Sequence, residues 1–355
     1  MRRKKKSNTK KKYILSVAGG VVCLVLYYVY SYIMLGADID WVRGRRANAI
    51  ITMSLDQKLG AYYVTNEVKN YRFDSEGYPE YFANGENHRH PTQLVQIGLQ
   101  RISMYMKTGD SDDLAVAKKY ADYLAGSVKV RENQNLKYGL LSIDFFNRHY
   151  PFLGNSWISG LLQGQTLSLM LRMYQVTGNE QYKNVADLMY ESYKLPHDQG
   201  GFAYRNGDDL YFDECVSEPP THILNGHIYA VMGLLDYWRV YRKAETEEML
   251  ADSVATVERK LAGYTVPGTA WSYYDDPAQS WSGAAGASYH NLHPILLRVL
   301  AGMTSNQNRF LQYADFWETA FDSPKDKIVY LFARDYFRVL RILNRNHFQG
   351  IPYPL

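Results

Sequence analysis

LLQGQTLSLMLRMYQVTGNEQYKNVADLMYESYKL, residues 161–195, reads as two helices that meet at Thr177-Gly178-Asn179. A glycine just past one apolar run and an Asx residue opening the next are stop and start signals for helices. The same layout stands upstream, where HPTQLVQIGLQRISMYMKTGD (90–110) places Leu94, Ile97, Leu99, Ile102 and Met106 near the spacing of an amphipathic helix. A turn at Thr108-Gly109-Asp110 leads from there into SDDLAVAKKYADYLAGSV. Two further pairs follow, ILNGHIYAVMGLLDYWRVYRK with ETEEMLADSVATVERKL, and YHNLHPILLRVLAGMTSN with QNRFLQYADFWETAF. The pairs recur roughly every 60–70 residues, and KKYADYL echoes LQYADFW at equivalent places. Repeated helix pairs imply a solenoid or a closed ring.

The gaps between pairs, 130–157, 196–221 and 264–288, are long and rich in glycine, aromatics and acids. Each joins the second helix of one pair to the first of the next, so in an α/α toroid all three would emerge on one rim. Long connectors held by a rigid scaffold favour function. Strand-like pieces within them (YGLLSIDF, GGFAYR, DLYFDE and AWSYYDD) predict short hairpins. The expected fold is mainly α: an incomplete or complete α/α toroid with short β-hairpins on one rim, preceded by one transmembrane helix. The expected divisions are a basic tail (1–12), the membrane helix (13–36), a small α+β element (37–89, with a helix around 44–58 and strands near 61–73) and the toroid (90–355).

The 355 residues carry a formal charge of +4, but residues 1–12 alone hold eight Lys or Arg and no acid. What remains is slightly acidic, so a nucleic-acid partner lacks its electrostatic footprint. The segment YILSVAGGVVCLVLYYVYSYIMLG (13–36) has no charged side chain. As a helix its length is about 36 Å, enough to cross a hydrocarbon core of ~30 Å. Basic residues on its N-terminal flank keep that end cytoplasmic and the folded part extracytoplasmic, at a cell surface, in a periplasm or in a secretory lumen. The competing reading, a cleaved signal peptide, fits less well because the apolar run is long and no small-x-small site follows. The two cysteines, Cys23 and Cys215, lie in such different contexts that a disulfide between them is not expected. The 32 tyrosines are in excess and suit a groove that stacks sugars.

Three constellations fall in the connectors. In FDECVSEPPTHILNGHIYAVMG (212–233), Pro219 and Pro220 stiffen the approach to a helix beginning near Ile223. Glu214 on that loop is a candidate base, set against the reading of Asp213, Glu214 and Cys215 as a solvated acidic turn. In AWSYYDD, Tyr273 and Tyr274 adjoin Asp275; neighbouring strand residues face opposite ways, so at most one lines a site. In SYHNLHP (288–294), His290 and His293 share a face after Tyr289. They are candidate donors to an anionic substrate; a zinc site would need further ligands, and no metal is expected. No GxGxxG, Walker or GxSxG motif occurs, which argues against dinucleotide, nucleotide and serine-hydrolase chemistry.

Taken in order, Asp74-Ser-Glu-Gly-Tyr-Pro79, His90-Pro-Thr-Gln, Asn155-Ser-Trp-Ile-Ser-Gly-Leu-Leu-Gln-Gly-Gln165, Asp213-Glu-Cys, Ile-Leu-Asn-Gly226, Ser272-Tyr-Tyr-Asp275 and Tyr289-His-Asn-Leu-His293 resemble the D-glucuronyl C-5-epimerase family. The likeness covers roughly residues 70–320. It implies an α/α toroid that converts D-glucuronate to L-iduronate within a polysaccharide or glycan, with no cofactor. It further implies acid/base roles for Tyr274, Tyr289 and Glu214, and substrate contacts from His90, Trp157, Gln163, Gln165, Cys215, Asn225, His290 and His293. A homodimer is left open. Three features depart from the family pattern. Cys215 stands where a tyrosine is expected, and either Glu214 acts alone or the thiol carries a proton. Gly286 stands where longer animal members have an arginine, leaving Arg205 or Arg148 for the substrate anion. The β-rich domain of those longer members is absent or rudimentary. A lyase, which forms the same C-5 carbanion, is the nearest rival. A glycoside hydrolase pairing Glu214 with Asp275 or Asp144 and an inactive glycan-binding homologue are the others.

Overall fold

The computed structural model describes residues 2–45, 71–133, 136–147, 149–276, 282–302 and 307–343. The helix expected around 44–58, most of the strands near 61–73, and Arg148 lie outside the described residues. Helix α1 (Arg2–Arg45) is followed by the hairpin β1 (Tyr81–Ala83) and β2 (Glu86–His88). Four helix pairs then run along the chain: α2 (Pro91–Thr108) with α3 (Ser111–Ser127), α4 (Gly160–Thr177) with α5 (Glu180–Glu191), α6 (Leu224–Tyr241) with α7 (Ala244–Lys260), and α8 (Ala287–Ala301) with α9 (Gln307–Glu318). A last helix, α10 (Pro324–Leu343), has no counterpart among the expected pairs.

The turn inside the first two pairs is one device used twice. Gly109 (φ 74°) and Gly178 (φ 67°) take the left-handed conformation that ends a helix. The next residue, Asp110 or Asn179, caps the following helix by accepting the backbone N–H two residues on, at 2.9 and 3.0 Å. The preceding Thr108 and Thr177 hydroxyls each accept the cap residue's own N–H at 3.2 Å.

Helices α2, α4, α6 and α8 pack side by side in that order and form the inner layer. Nearly every residue of α4 and α6 is buried, as expected for helices covered all round. They cross closely because Gly164 faces the backbone of Tyr229 and Ala230, and Gly233 that of Gly164, where a Cβ would collide. Asp236 on α6 is buried in that interface with the α4 partners Arg172 (2.6 Å) and Ser168 (2.7 Å). Outer helices α5 and α7 bury one face only. The result is an α/α toroid arc that is incomplete among the described residues, since α8 packs on α1 rather than closing on α2.

The first connector forms β3 (Lys129–Asn133) with β4 (Leu136–Leu140), and β5 (Ser142–Ile143) with β6 (Trp157–Ile158). The second forms β7 (Ala203–Asn206) with β8 (Asp209–Phe212). The third departs from expectation: AWSYYDD is not a strand but carries two isolated bridges, Thr265–Ser272 and Tyr273–Ala284. Its backbone groups bond singly to Tyr264, Val266, Gly283 and Ala285 of the same connector, to Thr221 of the second and to Leu224 of α6, so no regular ladder forms.

Helix α1 runs unbroken through the apolar segment, and Ser16–Arg43 is long and apolar enough to cross a membrane. Val17 to Ile33 present exposed apolar side chains, whereas Leu35, Ile39 and Val42 are buried against Ala287 of α8 and Tyr330 and Leu331 of α10.

Candidate active site at the converging connectors

Backbone hydrogen bonds tie the three connectors together. Gly160 donates to Asp213 O (2.8 Å) and Val216 to Ile158 O (3.4 Å), which joins the first connector to the second. Leu224 donates to Tyr274 O and Asp276 to Thr221 O, both at 3.2 Å, which joins the second to the third. Segments more than a hundred residues apart in sequence therefore meet where α6 begins.

The three residues of Asp213-Glu-Cys part company there. Asp213 is buried and accepts the backbone N–H (3.0 Å) and ring Nδ1 (2.8 Å) of His222, whose ring stacks on Tyr211 at 3.9 Å. It shapes the loop. The Glu214 side chain lies against Gly226 in the first turn of α6, where any Cβ would strike it. It accepts one hydrogen bond, from Asn225 Nδ2 at 3.3 Å, and keeps a partial opening to solvent. Exclusion of water by the packing around it raises its pKa from 4.5 to about 7, with the Asn225 bond opposing the rise. Cys215 is 2% exposed and packs with Tyr150 and Ile223. Burial first, then the carboxylates Glu214, Asp213 and Asp275, push its thiol well up. Its thiol therefore stays protonated near neutrality.

Tyr274 is half-buried beside Glu214, and its ring meets that of Tyr289 edge-on at 4.6 Å between centroids. Burial, then the Glu214 carboxylate and the neighbouring phenols, hold its hydroxyl well above the usual value of 10. The phenol therefore stays protonated near neutrality. Tyr289, at the start of α8, is 44% exposed. Tyr273 faces elsewhere, into the packing of Phe337 (6.1 Å).

Sequence reading passed over Tyr150. Its hydroxyl bonds Asp275 (3.2 Å) and Ser282 (2.8 Å), and His149 Nε2 reaches Ser282 at 2.7 Å. Asp275 also accepts the backbone N–H of Ser282 (2.8 Å) and of Gly283 (3.3 Å). Its carboxylate is saturated and clamps the third connector. The local signal was HYPFLG (149–154), an aromatic-bearing stretch just before the Asn155 motif.

Other expected substrate residues are placed differently. His290 and His293 are 1% and 0% exposed, and both Nδ1 atoms meet Ser272 Oγ at 2.8 Å. His290 Nδ1 also accepts Ser272 N–H (3.1 Å), and its Nε2 meets Trp317 O at 3.0 Å. Burial lowers both pKa values to about 3, so both rings are neutral; His293 Nε2 has no hydrogen-bond partner, but neither ring is exposed where the expected donor to an anionic substrate would stand. Gln163 is equally internal: its amide bonds Leu141 N (3.0 Å) and O (2.9 Å), hanging the first connector on α4. His90 caps α2 through Nδ1 (3.3 Å from Thr92 N), and Trp157 Nε1 donates to Phe145 O at 3.2 Å. Arg205 is exposed on β7 and pairs with Asp252 of α7 (3.1 Å), with no contact to Glu214, Tyr274 or Tyr289 among the described residues. Asn225 Oδ1 and Gln165 Oε1, both buried, have no hydrogen-bond partner. A Cβ at Gly286 would meet nothing within 4 Å, so packing does not demand glycine there. Asp144, bonded to Ser156 (2.7 Å) and Lys129 (3.4 Å), is held below the usual carboxylate range against the cost of its partial burial.

Residues 134–319 match the family model described as D-glucuronyl C5-epimerase C-terminus. The chain is 27% identical over 178 residues to an uncharacterised protein of Methanocaldococcus jannaschii, covering 48% of this chain and 56% of that one. It is 23% identical over 177 residues to the D-glucuronyl C5-epimerase of Caenorhabditis elegans, covering 44% of this chain and 29% of that one. The match thus spans about half of the first relative and less than a third of the second. Among solved structures, the unsaturated glucuronyl hydrolase of Bacillus sp. GL1 aligns at 15% identity with a TM-score of 0.44, covering 66% of this chain and 62% of that one.

Proposed function

Because the chain belongs to the D-glucuronyl C5-epimerase C-terminus family, we propose that it is a uronyl C-5-epimerase acting on D-glucuronate within a polysaccharide or glycan, giving L-iduronate. The C-5 hydrogen lies α to a carboxylate and is a very weak acid, so the reaction needs a base, an acid and donors to the enediolate charge. Glu214, as carboxylate, takes the C-5 proton. The C–H pair flows into the uronate carboxylate, and the Tyr274 hydroxyl returns a proton to C-5 from the other face. Tyr274 is then a phenolate and Glu214 an acid. Tyr289, whose ring meets Tyr274 and which is open to solvent, relays the proton that resets the pair. Asn225, adjoining Glu214 with an unpartnered buried Oδ1, is the substrate contact we favour on the α6 side.

The observation that carries this reading is a carboxyl raised to about 7 beside a phenol held protonated, at the point where three connectors are tied. A general base works best with a pKa near the operating pH. The saturation of Asp275 weighs against a hydrolase using it opposite Glu214. For location, the apolar helix α1 supports a single-pass anchor with its basic N-terminus cytoplasmic and the toroid outside.

The test is full-length protein in detergent with glucuronate polymers in heavy water. Deuterium at C-5 without chain cleavage is the expected result. Appearance of an unsaturated uronate chromophore would instead make the protein a lyase. Glycan binding without any C-5 exchange would make it a binding homologue.

A further inference from the structure

Helix α10 carries an exposed apolar stripe that the toroid does not use. Ile328, Phe332, Tyr336 and Val339, at intervals of 4, 4 and 3, are 47%, 54%, 60% and 52% exposed. That spacing puts them on one helical face. Asp326, Tyr330 and Leu331, on the remainder of the helix, are buried. Four such residues in succession on one helical face mark a contact.

What lies beside the stripe identifies the contact. Helix α10 runs antiparallel to α1: Asp322, just before it, holds Arg43 by two bonds of 2.8 Å, Phe332 meets the Tyr28 ring at 4.6 Å, and Asp335 accepts from Tyr27 at 3.1 Å. With rising residue number α10 therefore descends toward the apolar span, and its stripe touches α1 where Phe332 meets Tyr28. The level at which they meet is marked on both helices. On α1 it is a run of tyrosines, Tyr27, Tyr28, Tyr30 and Tyr32, the residue type that collects at membrane–water interfaces. On α10 it is a charged group, with Arg334 (2.9 Å) and Arg338 (3.5 Å) on Asp335 and Arg334 also on Tyr27 (3.1 Å). Such a cluster is costly in hydrocarbon but at home among headgroups.

We propose that α10 is a membrane-dipping helix, packed along α1 and entering the near leaflet of the phospholipid bilayer that α1 crosses, with the Ile328, Phe332, Tyr336 and Val339 stripe turned to lipid and Lys327, Arg334 and Arg338 reaching back to the phosphates. Long basic side chains snorkel to headgroups in this manner. The inference rests on α1 being embedded in lipid and not on the catalytic assignment. It has a consequence for the site. Phe337 of α10 packs on Tyr273 and closes over Gly283, so the same helix supports the connector that carries Tyr274 and Asp275.

Spin labels provide the test. In full-length protein with Cys23→Ser, reconstituted in phosphatidylcholine–phosphatidylglycerol vesicles, a nitroxide is attached in turn at Ile328→Cys, Phe332→Cys, Tyr336→Cys and Val339→Cys. Val21→Cys on α1 serves as the lipid reference and Ala251→Cys, exposed on α7, as the aqueous one. The expected result is that all four α10 positions collide with oxygen in preference to a water-soluble nickel chelate, severalfold more than position 251. Nickel accessibility equal to that at 251, with position 21 still in lipid, would overturn the role of α10 alone. Nickel accessibility at position 21 as well would remove its premise. Dipolar broadening between copies at 332 or 336 would overturn it in favour of a dimer.

Discussion

Tyr289 and His290 are neighbours on α8, yet they belong to two differently built regions. On one side Glu214, Tyr274 and Tyr289 gather at the tied connectors; on the other His290 and His293 meet over Ser272 inside the core. Both regions hold buried titratable groups displaced from their ordinary pKa by the same cause, loss of water. They differ in access. Glu214 accepts one bond and keeps a path to solvent, whereas His290 has both ring nitrogens occupied and His293, with Nδ1 occupied and Nε2 unpartnered, is sealed in the core. A shifted pKa alone therefore does not mark a site; a shifted group with unused valence and an opening does.

The sharpest separation should come from Glu214→Gln. Loss of a positioned base costs on the order of 10²–10⁴ in rate, read as C-5 deuterium incorporation with the melting temperature retained. Tyr274→Phe comes next, with a loss on the order of 10² or more for the missing acid. If both variants exchange at the parent rate, the connectors do not hold the reacting groups. In the core region the effect should fall on stability instead: Ser272→Ala removes the hydroxyl shared by the two imidazoles and should cost ~1–3 kcal/mol in denaturant unfolding. Exchange per folded molecule should persist; its collapse would merge the two regions into one.

The pH dependences should have opposite signs. Glu214 is raised from 4.5 to about 7, so its contribution to stability is full below pH 4.5 and is lost as pH rises through 7, while C-5 exchange grows over the same interval as the carboxylate forms. His290 and His293 are lowered from 6.5 to about 3; their contribution is full above pH 6.5 and is lost as pH falls toward 3. Unfolding curves of Glu214→Gln should lack the first component and keep the second. The smallest effect is expected at Arg205→Ala. Its exposed pair with Asp252 is worth about 0–1 kcal/mol, and C-5 exchange should stay within error if this arginine lies outside the site.

Glu214 could be singled out as a candidate because an acid before a double proline and a helix start is an uncommon arrangement, and Tyr274 and Tyr289 because their motifs have a characteristic order; the structure brings the three together. Tyr150 was not. Its value comes from Asp275 and Ser282, 125 and 132 positions away, and no local pattern reports such a contact. The histidines misled for the complementary reason: His-x-x-His spacing is local, but whether the nitrogens are free depends on Ser272 and Trp317. Helix α10 escaped notice because its apolar positions are interleaved with charge and point away from the core that the repeat pattern describes.

Periodicity, the Thr-Gly-Asx turns and the lengths of the connectors were enough to determine four helix pairs, a toroid and the rim on which chemistry is expected, since propensity, capping and amphipathic spacing act over a few residues. Ring packing alone decided the protonation of Glu214 and Tyr274, the retirement of the histidines into the core, and the docking of α10 against α1. Desolvation and hydrogen-bond partnership depend on every element that closes around a group, and those elements are brought together only by the folded chain.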